Sequence, residues 1–296
     1  MELHQLRAFL AVARQGQLVR AAEQIHLTQS ALSKQIKSLE DELGVLLFVR
    51  NPSGMAATAA GRRLQPLAVH ALDAVQEIGT VAASLRGTVS GPLRLGTIID
   101  PESIRLGALL AAMVQFYPQV DVSLSHGISG GVLQMLRAHE VDACFFLGVV
   151  KDPDIAVRQL LMEHYVVIGP PGWEERLRTA GWPELAAMPW MATPFGSSQH
   201  GLATQMFAER GLSYRTVVQA DQEASMLELV HTGVALGLMR ERALTQALAT
   251  RHVVAWPGVR LRCPLSLLYR RADEESATVQ ALLSSLHEIW PESEPD

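Results

Sequence analysis

Gln29, Ser30, Ser33, Lys34 and Lys37 are spaced so that a helix would gather them on one face. Their amide and hydroxyl groups can donate and accept at the edges of bases, and the two ammonium groups can meet phosphates. No carboxylate interrupts them before Glu40. Taken alone, the same face is equally well a solvated surface that is merely basic. A second candidate is Gly127-Ile128-Ser129-Gly130-Gly131, the G-x-S-x-G spacing of a nucleophile elbow between a predicted strand and a predicted helix. Acyl chemistry at Ser129 would need an oxyanion motif such as His-Gly-Gly, which the chain lacks. Cys144 falls in an apolar run and reads as core, whereas Cys263 falls in a predicted exposed loop, Arg260–Pro264, whose arginines would lower its pKa. The ten histidines are scattered without the spacing of a zinc site, so neither a metal nor a cofactor is expected.

The elements that would position the first group are short and local. Leu3, Leu6, Phe9, Leu10 and Ala13 predict a first amphipathic helix that Gly16 ends. Val19–Ile25 predicts a second helix, with Ala21 and Ala22 small enough for close packing. Thr28 is a good N-cap for a third helix from Gln29 to about Glu42, whose apolar stripe is Leu32, Ile36, Leu39 and Leu43. A strand pair follows, Leu46–Arg50 and Met55–Thr58, around a turn at Asn51-Pro52-Ser53-Gly54. This is a helix-turn-helix with a wing, and Arg50 stands at the wing's base.

The run Arg20-Ala21-Ala22-Glu23-Gln24-Ile25-His26-Leu27-Thr28-Gln29-Ser30-Ala31-Leu32-Ser33-Lys34-Gln35-Ile36 resembles the helix-turn-helix of LysR-type transcriptional regulators. So do Leu39-Glu40-Asp41-Glu42-Leu43-Gly44, Leu47-Phe48-Val49-Arg50 and Thr58-Ala59-Ala60-Gly61, in family order and spacing. Two departures stand out: Ser30 where that family often has Pro, and a wing, Pro52–Ala57, without a basic residue. The resemblance implies a sequence-specific regulator, not an enzyme, that binds double-stranded promoter DNA as a homodimer or homotetramer. Arg20, Gln29, Ser30, Ser33, Lys34, Lys37 and Arg50 are then the candidate DNA contacts.

Leu64, Leu67, Ala68, Ala71, Leu72, Val75, Ile78, Ala82 and Leu85 form a near-heptad seam, with Pro66 tolerable near the helix start. Such a helix packs either on its own body or on a partner. The resemblance implies the partner. Thr88-Val89-Ser90-Gly91-Pro92 reads as a hinge. Beyond it, strands at Leu93–Ile99, Val120–Ser125 and Val141–Leu147 alternate with helices carrying Leu106–Phe116 and Gly131–Ala138, which predicts a parallel sheet. A second set runs through Tyr165–Ile168, Trp190–Ala192, Val217–Ala220 and Val234–Met239, and a strand Leu265–Tyr269 and a helix Val279–Ile289 close the chain.

The expected fold class is α/β: an N-terminal winged helix-turn-helix over 1–58, a linker helix and hinge over 59–88, and a two-lobed regulatory domain similar to periplasmic binding proteins. One lobe would hold 89–163 and 268–290, the other 164–267, with a disordered tail at 291–296. The resemblance places a small-molecule effector between the lobes, near the carboxyl ends of strands. The candidates are Asp100, Ser103, Ile128, Ser129, Phe195, Ser197 and His200, each of which can equally serve as a helix cap. With Asp100 as N-cap, Pro101 first in the helix and Glu102 next, that side of the pocket would disfavour anions and suit a neutral or cationic effector.

Two other function classes stay open from the residues alone: an α/β-hydrolase-like enzyme using Ser129, and a redox-sensing regulator using Cys144 and Cys263. Bulk properties narrow the choice. With 48% hydrophobic and 19% charged residues the chain is globular, not disordered. Its longest apolar run, Ala108–Val114, falls far short of the roughly 18 residues a bilayer crossing needs. The first residues lack the basic and apolar regions of a secretion signal, so a cytoplasmic protein is expected. The net charge of −5 divides into +3 over residues 1–65 and −8 over the rest. A basic head on an acidic body fits a nucleic acid at one end only.

Overall fold

The computed structural model describes residues 1–52, 54–84, 89–98, 101–250 and 252–290. Three helices, α1 (Leu3–Gln15), α2 (Leu18–Gln24) and α3 (Gln29–Leu43), pack with a two-stranded wing, β1 (Phe48–Asn51) and β2 (Gly54–Ala57). Gly16 takes φ 64° and stops α1, as its position after the last apolar residue predicts. Leu6, Phe9, Leu32, Ile36, Leu39, Leu47 and Phe48 are buried together as the head's core, whereas Leu43, expected in the same stripe, stays 38% exposed. The wing is tied to the head by the Met55 N–H, which donates to Gly16 O at 2.7 Å. A Cβ on Gly54 would lie 2.2 Å from that same oxygen, so only glycine permits the approach.

The linker helix α4 (Ala59–Ser84) starts on Thr58, whose Oγ1 accepts from the Gly61 N–H at 2.9 Å. Leu64, Ala68, Ala71 and Leu72 of the predicted seam pack on the head's own core. Leu67 and Ile78 do not: they are 62% and 70% exposed, and Val75 is also exposed. The helix therefore has two apolar stripes, one used within the chain and one open. Leu85, the start of the predicted hinge, Asp100 and the tail at 291–296 lie outside the described residues, as does the Ala82 side chain.

The regulatory part comprises, in chain order, β3 (Ser90–Ile98), α5 (Leu106–Phe116), β4 (Gln119–Gly127), α6 (Ser129–Arg137), β5 (Ala143–Leu147), β6 (Ile155–Gly169), α7 (Glu174–Thr179), α8 (Trp182–Ala187), β7 (Pro189–Ala192), α9 (Ser198–Ala208), β8 (Arg215–Gln219), α10 (Glu223–His231), β9 (Gly237–Arg240), α11 (Thr245–Ala249), β10 (Val254–Arg270) and α12 (Ala277–Ile289). The main sheet runs β4-β3-β5-β10-β6-β9. Its β4-β3-β5 portion is parallel, but β10 pairs antiparallel with both β5 and β6. Strands β6 and β10 are far longer than their apolar cores predict, because each runs on through charged, alternating sequence from one lobe into the other. One core lies around Leu93, Phe145, Leu265 and Leu282, and a separate cluster holds Ile168, Met226, Val230 and Met239.

Three expectations are corrected here. Ser90-Gly91-Pro92 is not a hinge but the start of β3, paired in register with Gln119, Val120 and Asp121. Helix α5 does not start at Pro101: residues 101–105 form turns, Arg105 takes a left-handed φ of 46°, and the helix begins at Leu106. Glu102 is therefore outside the first turn, and no carboxylate occupies that turn of α5. Cys263 is not in an exposed loop either. Arg260 and Arg262 point outward from β10, and Cys263, next on the inward side, is 2% exposed.

Candidate nucleic-acid interface and ligand cavity

The Thr28 side chain accepts from the Ala31 N–H at 3.2 Å and so fixes where α3 starts. From that start, Leu32, Ile36 and Leu39 fall into the core and the opposite face turns to solvent. Gln29, Ser30, Lys34 and Lys37 are exposed and Ser33 is half-buried, so these five form one continuous polar face. Glu40, the first carboxylate after it, is withdrawn: its Oε1 accepts from the Leu47 and Phe48 N–H groups at 2.7 and 3.1 Å. The acid that would repel phosphate thus anchors the wing instead. Arg20 and Arg50 are exposed elsewhere on the head.

A cavity of about 220 Å³ lies between the lobes. Ile128 and Ser129 at the start of α6, and Ser197 before α9, line it as expected positions. Ser129 is 5% exposed, and its Oγ accepts from the Leu147 N–H at 3.2 Å. Ser197 caps α9 by accepting from the His200 N–H at 3.1 Å. Ser103 is buried and is joined to the cavity by Arg240, whose Nη1 donates to its Oγ at 2.6 Å. Two expected residues are not brought there. Phe195 is 88% exposed and packs edge-on against the His200 ring, and neither of the two lines the cavity.

Sequence reasoning missed Tyr165, Glu223 and Arg240, which line the cavity. Glu223 accepts from Arg240 Nε at 3.0 Å and from Nη2 at 2.8 and 2.9 Å. Arg240 therefore joins α10 of one lobe to the β3–α5 segment of the other. Burial pushes the Tyr165 hydroxyl above its ordinary value, against a hydrogen bond with Ser198, so it stays neutral. The lobes also touch directly where the Gly130 N–H donates to Gly196 O at 2.9 Å, and a Cβ on Gly130 would sit 2.7 Å from that oxygen.

The cysteines do not form a redox pair. Cys144 lies opposite Leu268 on β10, five residues from Cys263. That is about 16 Å along a strand, well beyond the about 7 Å Cα limit for a disulfide. Burial pushes both thiols up to about 12. Among the described residues no three His, Cys, Asp or Glu side chains gather as a metal site, and no helix is long and apolar enough to cross a membrane.

Comparison with known proteins decides the family. The profile for the bacterial regulatory helix-turn-helix protein, lysR family, matches residues 3–62, and that for the LysR substrate binding domain matches 86–291. This chain belongs to the LysR family. It is 31% identical over 301 residues to the HTH-type transcriptional regulator IlvR of Caulobacter vibrioides, covering 96% of each chain. It is 28% identical over 287 residues to the RuBisCO operon transcriptional regulator of Allochromatium vinosum, covering 95% of this chain and 94% of that one. Full-length CbnR in complex with its target DNA has the same fold, with a TM-score of 0.63 at 23% identity over 97% of this chain and 99% of that one. As a LysR-type protein, the chain is a DNA-binding transcriptional regulator with an effector-binding domain, of a family that works as oligomers. The hydrolase and redox readings gain no support.

Proposed function

We propose that the exposed face of α3 enters the major groove, with Gln29, Ser30 and Ser33 at base edges and Lys34 and Lys37 on phosphates. Arg20 and Arg50 add backbone contacts. The observation that carries this reading is the continuous polar face from Gln29 to Lys37 on a helix whose other side is sealed in the head's core. The open stripe of Leu67, Val75 and Ile78 on α4 seats a second copy, which sets two heads on one two-fold DNA site. The regulatory part divides into lobes at 89–163 with 268–290 and at 164–267, and a small effector occupies the cavity between them. Its binding shifts the populations of oligomer arrangements and thereby the heads' grip on DNA. The protein works in the cytoplasm as a regulator, not an enzyme; against acyl chemistry at Ser129, its hydroxyl is buried and accepts from the backbone.

The test is a fluorescence-anisotropy titration against the DNA upstream of its own gene at several salt concentrations, with and without Lys34→Ala/Lys37→Ala. The expected result is selective binding whose log-affinity against log-salt slope shrinks by about two in the double variant. An unchanged slope and affinity would remove α3 from the interface.

A further inference from the structure

We propose that the effector of the cavity between the lobes is a small organic cation, an amine or amidine on a short hydrocarbon body, held by Glu223 and Asp221. This rests on that cavity being the effector site. Three ionised side chains line it among the described residues: Arg240, Glu223 and Asp221. Arg240 is 4% exposed and already committed, since Nε and Nη2 go to Glu223 and Nη1 goes to Ser103. An incoming carboxylate would have to compete with Glu223 for a buried guanidinium that it already holds by three hydrogen bonds. Glu223 is 31% exposed and, like the exposed Asp221, lines the cavity; a carboxylate with three accepted hydrogen bonds has capacity for a further donor.

Helix N-termini ordinarily favour anions, and α6, α9 and α10 all start at this cavity. Here each is met in part by a group from within the protein. Glu223 is the first residue of α10 and sits on that helix's own dipole. Ser197 caps α9, and the Gly130 N–H of α6 is taken by Gly196 O. With Tyr165 neutral, the described lining carries a net charge of −1, which a ligand of opposite sign would balance. Ile98, Ile128, Leu147 and Pro194 supply an apolar wall for the hydrocarbon part. A volume of about 220 Å³ is below the about 300–1,000 Å³ of drug-sized sites, so the molecule is small.

The experiment is calorimetry and thermal shift on the intact protein with 1,4-diaminobutane and 1-aminobutane against succinate and butanoate. The amines are expected to bind at least tenfold more tightly than the matched carboxylates. Asp221→Asn should weaken the amines a few-fold with the fold intact. Glu223→Gln should weaken them at least tenfold and, by leaving the Arg240 charge unbalanced, bring succinate and butanoate into measurable binding. Ile128→Trp, which fills the cavity, should abolish all of it. Wild-type preference for carboxylates, blocked by Ile128→Trp, would overturn the cationic assignment and keep the cavity as the effector site. Binding that Ile128→Trp leaves unchanged, or no binding of either class, would overturn both.

Discussion

The recognition face and the lobe cavity both offer polar groups to a ligand, but they are assembled differently. The face is drawn from nine consecutive residues, 29–37, and its side chains are solvated before DNA arrives. The cavity is drawn from eight elements, from Ile98 on β3 to Arg240 on β9, and its buried Arg240 is already bonded to Glu223 and Ser103. Removing a group from the face should therefore cost ligand and spare stability. Removing a member of the Arg240 cluster should cost both, because a buried partner is left behind.

The largest effect that would sharpen this contrast is Arg240→Met. Breaking a fully buried pair costs about 3–5 kcal/mol; with Glu223 partly exposed, a loss of about 2–3 kcal/mol in denaturant unfolding is expected. An unchanged unfolding midpoint would break the contrast on the cavity side. Next is Lys34→Ala/Lys37→Ala, which should reduce operator affinity about 10–100-fold near 0.1 M salt while stability stays within about 0.5 kcal/mol, as for surface changes. A large fall in melting temperature would show that the face is structural.

That difference in assembly also explains what could be read in the sequence. The head depends on neighbours three and four apart and on local caps, such as Thr28 for α3 and Thr58 for α4, so its elements and their order were legible. Gly61 has a physical reason as well: a Cβ there would lie 2.3 Å from Leu47 O. The cavity depends on contacts across the chain. Arg240 terminates a strand that reads as an apolar run ending at Met239, and its partners are 17 and 137 positions away. The first charge at the carboxyl end of such a strand, Arg240 of Arg240-Glu241-Arg242, was the available signal. Two misreadings came from local cues that tertiary structure overrode. Asp100-Pro101 looks like a helix start, but the chain turns through Arg105 first. Arg260 and Arg262 look like a loop, yet their alternation with buried Cys263 is the period of a strand.

Gly130→Ala probes the contact between lobes. With the new Cβ 2.7 Å from Gly196 O, α6 and the segment before α9 must separate. Ligand affinity at the cavity should fall about tenfold, in line with the about 1–3 kcal/mol cost of overpacking, with operator binding in the absence of ligand unchanged. Calorimetry and anisotropy read the two quantities separately.

A smaller effect should appear where α4 meets the regulatory part. Arg94 Nη2 bridges Asp73 of α4 at 3.0 Å and Asp142 at 2.5 Å, and the His70 and His139 rings lie 4.5 Å apart beside them. Burial first, then Arg270 and His70, hold the His139 pKa below its ordinary value. The folded protein thus favours neutral His139. The stability this contributes is complete above about pH 6.5, the unfolded value, and is lost as pH falls through the lower folded value. The melting temperature should decline on acidification from pH 7.5 to 5. Because His139 has φ 59°, His139→Asn keeps that backbone and should flatten the decline. The smallest effect concerns the thiols. With both pushed up to about 12 by burial, Cys144 and Cys263 should resist alkylation in the native protein at pH 8 and react only on unfolding.

The central claim is that reading and sensing are separable: α3 binds DNA and the cavity sets the response. One paired titration tests it most directly, the same operator DNA measured by anisotropy against Lys34→Ala/Lys37→Ala and against Glu223→Gln. The account predicts that the lysine variant binds operator about 10–100-fold more weakly and that Glu223→Gln retains wild-type operator affinity. Loss of operator binding in Glu223→Gln, with the lysine variant still binding like wild type, would contradict it.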